Sequence, residues 1–502
     1  MGGSGSASTS IDIEGLLKEV PDSMQTTLPE EMCIYHVPVD IRQVNKDAYT
    51  PQVICIGPIH QKNENQVIKE LKRRYFKQFF NRLPAEKQKP VLEELVKTIT
   101  GCVDKIHNCY EDAAFELCKD PKEFLKMILW DAVFIFELFL KNREFMEDTE
   151  KYKYDYIIGK PWLIIAVQRD LILLENQLPF WILDDLYGIV SKYIITVCSC
   201  SPKTDCGCPP ETDETCCSCV PKTDCCCPCI NFLVLTRKFF EMYNKRQTSP
   251  QKPLHFTDLV RSFYLPVDPS PPETDKTCCS CVPKTDCCCP CINFLVLTRK
   301  FFEMYNKKQT SPQKPHDSPN RLLHSATRLH QAGIKFKPKP KEYLIIIRSW
   351  TEDKSIKKGE LHVPVLEIDD HTDCIFRNLM ALEQCHYPYK AFICEYVIFL
   401  DRLVDTKEDA DLLIKSKVIV NMLGESNDVA KLINKLCQGI VEVSSRYNRL
   451  AEDLNKYYDN PYNNSKAFLR RQYFSNVWKG TGTIVGLIVL FITLGNFVRS
   501  FF

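Results

Sequence analysis

An excess of charge of either sign is missing from this sequence. The 502 residues carry 65 Lys and Arg against 64 Asp and Glu. Such a balance gives no field that would draw nucleic acid or an acidic substrate, so no nucleic-acid partner is expected. The opening stretch MGGSGSASTSIDIEGLLKEV has no basic patch followed by an apolar core, which excludes a secretory signal there. The ten histidines are scattered, with no pair at ligand spacing. G-x-S-x-G, H-E-x-x-H and G-x-x-x-x-G-K-[ST] are all absent. With no catalytic motif, the chain is expected not to be an enzyme.

Cysteine, by contrast, is abundant and concentrated. Of 27 cysteines, 18 lie between residues 198 and 291. CCSCVPKTDCCCPC is spelled at 216–229 and again at 278–291. The first copy holds Cys216, Cys217, Cys219, Cys225, Cys226, Cys227 and Cys229; the second holds Cys278, Cys279, Cys281, Cys287, Cys288, Cys289 and Cys291. Thiolates one residue apart can converge on a soft ion, so zinc or copper is a candidate cofactor at these fourteen positions. The intervening VPKTD is a turn-forming stretch that could fold the pairs together. Adjacent cysteines cannot all bind one ion. Acylation near an apolar helix and an inert loop are the competing readings.

The copies extend beyond the cysteines. Residues 209–253 and 271–315 are identical except at Glu214/Lys276 and Arg246/Lys308. Solenoid repeats keep their packing positions and diverge elsewhere. Here the solvent-type TSPQKP is retained too, which marks a tandem duplication rather than a repeat architecture.

Outside this region the pattern is helical. Leu92, Leu95, Ile99, Cys102, Val103, Ile106 and Cys109 recur at the three-and-four spacing of one helix face. Asp120, Pro121 and Glu123 form a helix start, and the apolar FLKMILWDAVFIFELFL behind them reads as a core helix interrupted by Asp131 and Glu137. Ser426 is a candidate cap for a helix burying Val429, Leu432, Ile433 and Leu436. Extended pieces are expected at YTPQVICIGPIH and GELHVPVLEI, both fenced by Pro and Gly. Glu175, Asn176 and Gln177 lie between apolar runs, where their expected task is to hydrogen-bond backbone ends in the core. Glu367, Asp369, Asp370 and Asp373 around His371 are expected to serve a helix start. The basic run KELKRRYFKQFFNRL at 69–83 reads as a solvated helix face.

GTGTIVGLIVLFITLGNFV, residues 480–498, contains no charge and sits between Lys479 and Arg499. At ~1.5 Å per residue it is roughly 28 Å long, which predicts a single membrane span. Lys466, Arg470, Arg471 and Lys479 before it, against Arg499 after it, predict a tail anchor with the bulk in the cytosol. Gly482 and Gly486 form a GxxxG, making a homodimer through that helix a candidate. MGGSGS fits the myristoylation pattern with Gly2 as the lipid acceptor, and a flexible leader equally well.

Seven blocks then agree in order with one family: IYHVPVDIRQVNKDAYTPQVICIGPIH, DLILLENQLPFWILDDLYG, LHFTDLVRSFYLP, HSATRLHQAGIKFKP, LHVPVLEIDDHTDCIFRNLMALEQC, DRLVDTKEDADLLIKSKVIVNMLG and the terminal apolar stretch. The chain resembles the plant family known as domain of unknown function 247 across nearly its whole length. The resemblance implies a largely helical protein with no established catalytic activity and, usually, one membrane span. Some grass members are associated with self-incompatibility, a self/non-self recognition process.

The expected architecture is mainly α: one large helical domain with minor extended segments, a cysteine-rich duplicated insert and a single C-terminal transmembrane helix. A leader covers 1–30, the helical domain 31–196 and 321–465, the cysteine-rich region 197–320, a basic segment 466–479 and the span 480–498. The expected function is a non-enzymatic, membrane-anchored protein–protein interaction module in recognition or signalling, with an unknown protein partner. The alternative is a thiol-rich metal-binding or redox protein acting through the cysteine clusters.

Overall fold

A computed structural model describes residues 29–111, 120–194, 231–243, 252–266, 321–340, 343–349, 351–353, 356–443, 446–473 and 477–499. Contacts divide the chain into two units.

The first unit is a helical cluster. Its longer helices are α1 (Gln66–Phe80), α2 (Ala85–Gly101), α3 (Pro121–Glu147), α4 (Pro161–Ile172), α5 (Phe180–Ser191) and α6 (Phe232–Phe239). The Asn65 side chain opens α1 by accepting from the Val67 amide at 2.9 Å. The helix then buries Ile68, Leu71, Lys72, Tyr75 and Phe79 along one stripe. The expected start of α3 is present: Asp120 accepts from the Lys122 amide, with Pro121 in the first turn. Of the residues whose spacing predicted one buried face, Leu95, Ile99, Ile106 and Cys109 are buried and Leu92, Cys102 and Val103 are half-buried. The face runs over two helices, since α2 ends at Gly101 and a short helix covers Val103–His107.

Helix α3 is the axis of this unit. It packs against α1, α2, α5 and α6, and an unbroken run from Ala132 to Leu140 is buried. That explains why its sequence shows little face preference: neighbours surround it. Aromatic rings cluster about its second half. Phe139 stacks on Phe239 with centroids 4.2 Å apart, and Phe136 meets Phe232 edge-on at 5.4 Å.

The stretch YTPQVICIGPIH forms no strand. Its amides bond instead to side chains: Gln52, Val53 and Ile54 donate to Asp170, and Ile56 donates to Asn176 at 2.6 Å. Carboxylate and amide oxygens thus do for this segment what a neighbouring strand would have done.

The second unit holds α7 (Phe256–Tyr264, all but its first residue), α8 (Thr372–Cys385), α9 (Phe392–Leu403), α10 (Lys407–Lys415), α11 (Ser426–Leu436), α12 (Asn448–Asp459), α13 (Pro461–Tyr473) and α14 (Val477–Arg499). Its strands are β1 (Lys335–Lys339), β2 (Arg348–Ser349), β3 (Glu360–Pro364), β4 (Leu366–Ile368) and β5 (Ile419–Asn421). β3 is central, parallel to β1 and antiparallel to β2, while β4 pairs in parallel with β5. GELHVPVLEI is therefore extended as expected. In α11, Val429, Ile433 and Leu436 are buried and Leu432 is half-buried; Ser426 is the first helical residue rather than the cap.

Of the acidic cluster around His371, Asp369 serves the start of α8. Asp369 accepts from the His371 amide at 3.0 Å and the Thr372 hydroxyl at 2.7 Å, and Asp373 pairs with Arg377 at 2.8 Å. Farther along, Glu383 accepts from Arg261 and from the Ile393 and Cys394 amides that open α9.

The terminal apolar stretch requires a correction. Among the described residues, no helix is long and apolar enough to cross a membrane. Helix α14 runs from Val477 to Arg499, and its described side chains include those from Thr481 to Asn496. Within them Thr481, Gly482, Thr483, Gly486, Thr493, Gly495 and Asn496 dilute the apolar content. The transmembrane helix in the expected fold class is therefore contradicted. So are the single-pass, tail-anchored assignment, the membrane as partner, the topology that placed the bulk in the cytosol, and the dimer across a span through Gly482 and Gly486. Beyond the helix's own neighbouring atoms, no described heavy atom lies within 4 Å of where a Cβ on either glycine would stand.

Candidate functional site

The candidate site is a groove on the first unit, and it starts from charges buried beneath it. Lys72 falls within the apolar stripe of α1 and is 3% exposed. Its ammonium reaches Glu64 at 2.5 Å, Asp131 on α3 at 2.6 Å and the Cys55 carbonyl at 2.6 Å. Burial works against the charged amine, but Asp131 and Glu64 outweigh it and raise the Lys72 pKa. The other oxygen of Asp131 accepts from the Gly57 amide at 2.9 Å. One lysine thus ties α1, α3 and the 52–57 segment together.

The segment after α3 is held by two further ionic groups. Arg82 donates to Glu137 at 2.6 Å and to Glu144 at 2.6 Å, and the Tyr152 hydroxyl donates to Glu144 at 2.5 Å. Lys141 donates to Asp155 at 2.7 Å and Gln78 at 2.6 Å, while its ammonium stands 4.0 Å from the Tyr75 ring centre. Tyr75 in turn donates to Asp155 at 2.5 Å. At Gly159 the turn closes on itself, since an added Cβ would stand 2.3 Å from the Lys153 carbonyl oxygen.

These ties fix the wall of an open groove of about 520 Å³ between α1 and residues 153–160, where Arg74, Lys153, Tyr154, Tyr156 and Lys160 meet. A second hollow of about 350 Å³ runs on from it along Gln66, Val67 and Glu70. The two share Leu71, Arg74 and Tyr156. Tyr154 is 90% exposed and the Arg74 side chain 71%. The basic face read from sequence is therefore solvated at Arg73, Arg74 and Lys77, but not at Lys72. A lysine on the Ile68–Leu71–Tyr75 stripe was the available signal. Nothing in the sequence marked Tyr154 and Tyr156 as partners of α1.

Glu144 gives this wall a pH dependence. Burial favours its neutral form, yet hydrogen bonds from Arg82, Lys151 and Tyr152 outweigh that and lower its pKa to about 2. A carboxylate depressed in the folded state contributes stability that is complete above its unfolded value of about 4.5 and is lost as pH falls through about 2. We expect Glu144→Gln to cost about 1–2 kcal/mol at neutral pH. Urea midpoints for the variant should also fall less steeply than wild type between pH 4.5 and pH 2, the window set by that depression. Parallel pH profiles would rule out this role for Glu144.

Glu175, Asn176 and Gln177 do what their position predicts. Glu175 accepts from the Val37 amide at 2.8 Å and lies 3.1 Å from His60; Asn176 donates to the Ile54 and Asp170 carbonyls; Gln177 donates to the Leu171 and Leu173 carbonyls. Asp131 and Glu137 face different cations and form no carboxylate pair. Among the described thiols, burial pushes Cys55 up to about 12, and Cys394 and Cys437 are raised by burial as well. Cys109 is lowered, chiefly by a hydrogen bond with Cys33.

Cys216–Cys229, Cys278–Cys291 and Gly2 lie outside the described residues, and the zinc or copper reading rests on them. Among the described residues, no group of three or more His, Cys, Asp or Glu is placed to hold a metal ion.

Comparison with known proteins agrees with the resemblance in the sequence. The chain matches the family described as plant protein of unknown function, DUF247, over residues 34–492. It is 27% identical over 474 residues to UPF0481 protein At3g47200 of Arabidopsis thaliana, covering 93% of this chain and 85% of that protein. It is 23% identical over 181 residues to the putative UPF0481 protein At3g02645 of the same plant, covering 36% of this chain and 33% of that one. No solved structure matches. With the match spanning both units, the chain belongs to the plant family known as domain of unknown function 247.

Proposed function

We propose that this chain is a non-catalytic protein-interaction module, in recognition or signalling, and that the groove beside α1 is the surface it offers. The observation that carries this reading is the pairing of exposed aromatic and arginine side chains with a backbone fixed from below. Tyr154, Tyr156 and Arg74 face solvent, while Lys72, Arg82 and Lys141 lock the elements that bear them. Tyr and Arg are enriched among the residues that dominate binding energy, and a pre-ordered surface spends less entropy on association.

The buried ionisable groups support the non-catalytic part. Asp131, Glu137, Asp155 and Asp170 are each engaged by a cation or by backbone amides. Groups so engaged stabilise the fold and offer no free proton acceptor.

The test is the native size of the full chain in plant extract. Wild type should elute in an assembly larger than its own mass, and Tyr154→Ala with Arg74→Glu should release it. An assembly unchanged by the double variant would remove the groove from the account.

A further inference from the structure

The lining of the groove is unevenly charged. Arg74, Lys153 and Lys160 contribute cations; the lining acids are Glu70 and Asp155. Asp155 is satisfied from below by Lys141 and Tyr75. Glu70 lies 3.3 Å from Arg73, outside the groove, and 3.8 Å from Arg74. Lys153 pairs with Glu150 at the rim, where both side chains are exposed and such a pair is worth little. The cations are interleaved with rings. Lys160 stands 4.1 Å from the centre of Tyr156, and Lys153 stands 5.2 Å from that of Tyr154.

Resting on the interaction reading above, we infer that the groove binds an extended acidic segment of a protein partner. Its carboxylates pair with Arg74, Lys153 and Lys160, and its alternate side chains lie against Tyr154, Tyr156 and Leu71. Arg74 supplies the planar fork suited to a carboxylate. The two hollows adjoin, sharing Leu71, Arg74 and Tyr156 in their walls, an elongated surface that suits a chain better than a compact ligand. Its concavity argues against a flat lipid surface. A strand of nucleic acid carries a phosphate at every residue and would bring some against Glu70 and Glu150, whereas a peptide with alternating carboxylates can set uncharged residues and amide donors there.

The test uses the full-length chain and fluorescence anisotropy. The probes are a short labelled peptide alternating glutamate and valine, its glutamine counterpart, labelled oligouridine, and phosphatidylserine vesicles. The glutamate peptide should bind, and the glutamine peptide should bind at least about tenfold more weakly. Arg74→Glu with Lys160→Glu should weaken the glutamate peptide by a similar factor, whereas Lys77→Glu, exposed on the same helix, should not. Equal binding of the two peptides, or no binding of the glutamate peptide, overturns the inference. So does tighter binding of oligouridine or vesicles that the double variant abolishes. If assembly in extract still depends on Tyr154 while charge reversal alone leaves it intact, the interaction surface stands and its acidic partner does not.

Discussion

Lys72→Met is expected to destabilise the chain by about 3–5 kcal/mol, the cost of leaving a buried charge uncompensated. Asp131 is 2% exposed, and without Lys72 its remaining contact is the Gly57 amide. The Cys55 carbonyl would lose its donor as well. Glu64, by contrast, can swing outward from its 7% exposed position. The attribution is checked by a second change. In Lys72→Met with Asp131→Asn, the buried Asp131 charge is gone and the new amide can still accept from Gly57. More than half of the lost stability should return, measured as the urea midpoint at neutral pH. Lys77→Met, exposed on the same helix, should stay within about 0.5 kcal/mol of wild type. A Lys72→Met variant as stable as the Lys77 one would mean that α1 is not held by this ion group.

Gly57→Ala should cost about 3 kcal/mol or more, for two reasons acting together. Gly57 has φ +73°, in the left-handed region where a side chain is strained. An added Cβ would also stand 2.4 Å from the Gln177 carbonyl oxygen and 3.3 Å from the Tyr110 hydroxyl. The oxygen is backbone and cannot rotate away. To make room, the Gln177 carbonyl must shift off the Tyr110 hydroxyl that donates to it at 2.9 Å, or Gly57 must leave Asp131. Tyr110→Phe removes only the hydrogen bond and should cost about 1 kcal/mol. A Gly57→Ala loss no larger than that of Tyr110→Phe would show that the approach relaxes easily.

Both variants act on the part of the fold that was least legible from sequence. Helix spacing located the buried face of α11 and part of that of α2, and the Asp120–Pro121–Glu123 pattern located the start of α3. These are local patterns, and local patterns can be read without knowing the neighbours. The polar triplet Glu175–Asn176–Gln177 was legible for a related reason: three polar residues inside an apolar run must spend their hydrogen bonds on backbone. Which backbone they hold was not legible. Asn176 and residue 56 are 120 positions apart, and the extended look of YTPQVICIGPIH suggested a strand where side chains do the bonding. Lys72 was masked by its surroundings, since KELKRR reads as a solvated surface until the stripe of Ile68, Leu71 and Tyr75 is traced through it. The terminal stretch erred in the other direction. Its length and its lack of charge suggest a span, but seven of the described residues from Thr481 to Asn496 are Gly, Thr or Asn, and neither criterion weighs how apolar the stretch is.

The groove needed the tertiary structure altogether. Arg74 is on α1, Tyr154 and Lys160 follow α3, and what brings them together is the Lys141–Asp155–Tyr75 contact beneath. Each residue taken singly is an unremarked surface side chain.

The claim that this groove is an interaction surface is tested most directly by a photo-crosslinking amino acid placed at position 154 of the full chain expressed in plant tissue. The same group at Met422, an exposed residue of the other unit, serves as the comparison. The account predicts one discrete crosslinked protein from position 154, absent from position 422 and lost when Arg74→Glu and Lys160→Glu are added. The same products from both positions, or a position-154 product that survives the charge reversal undiminished, would contradict it.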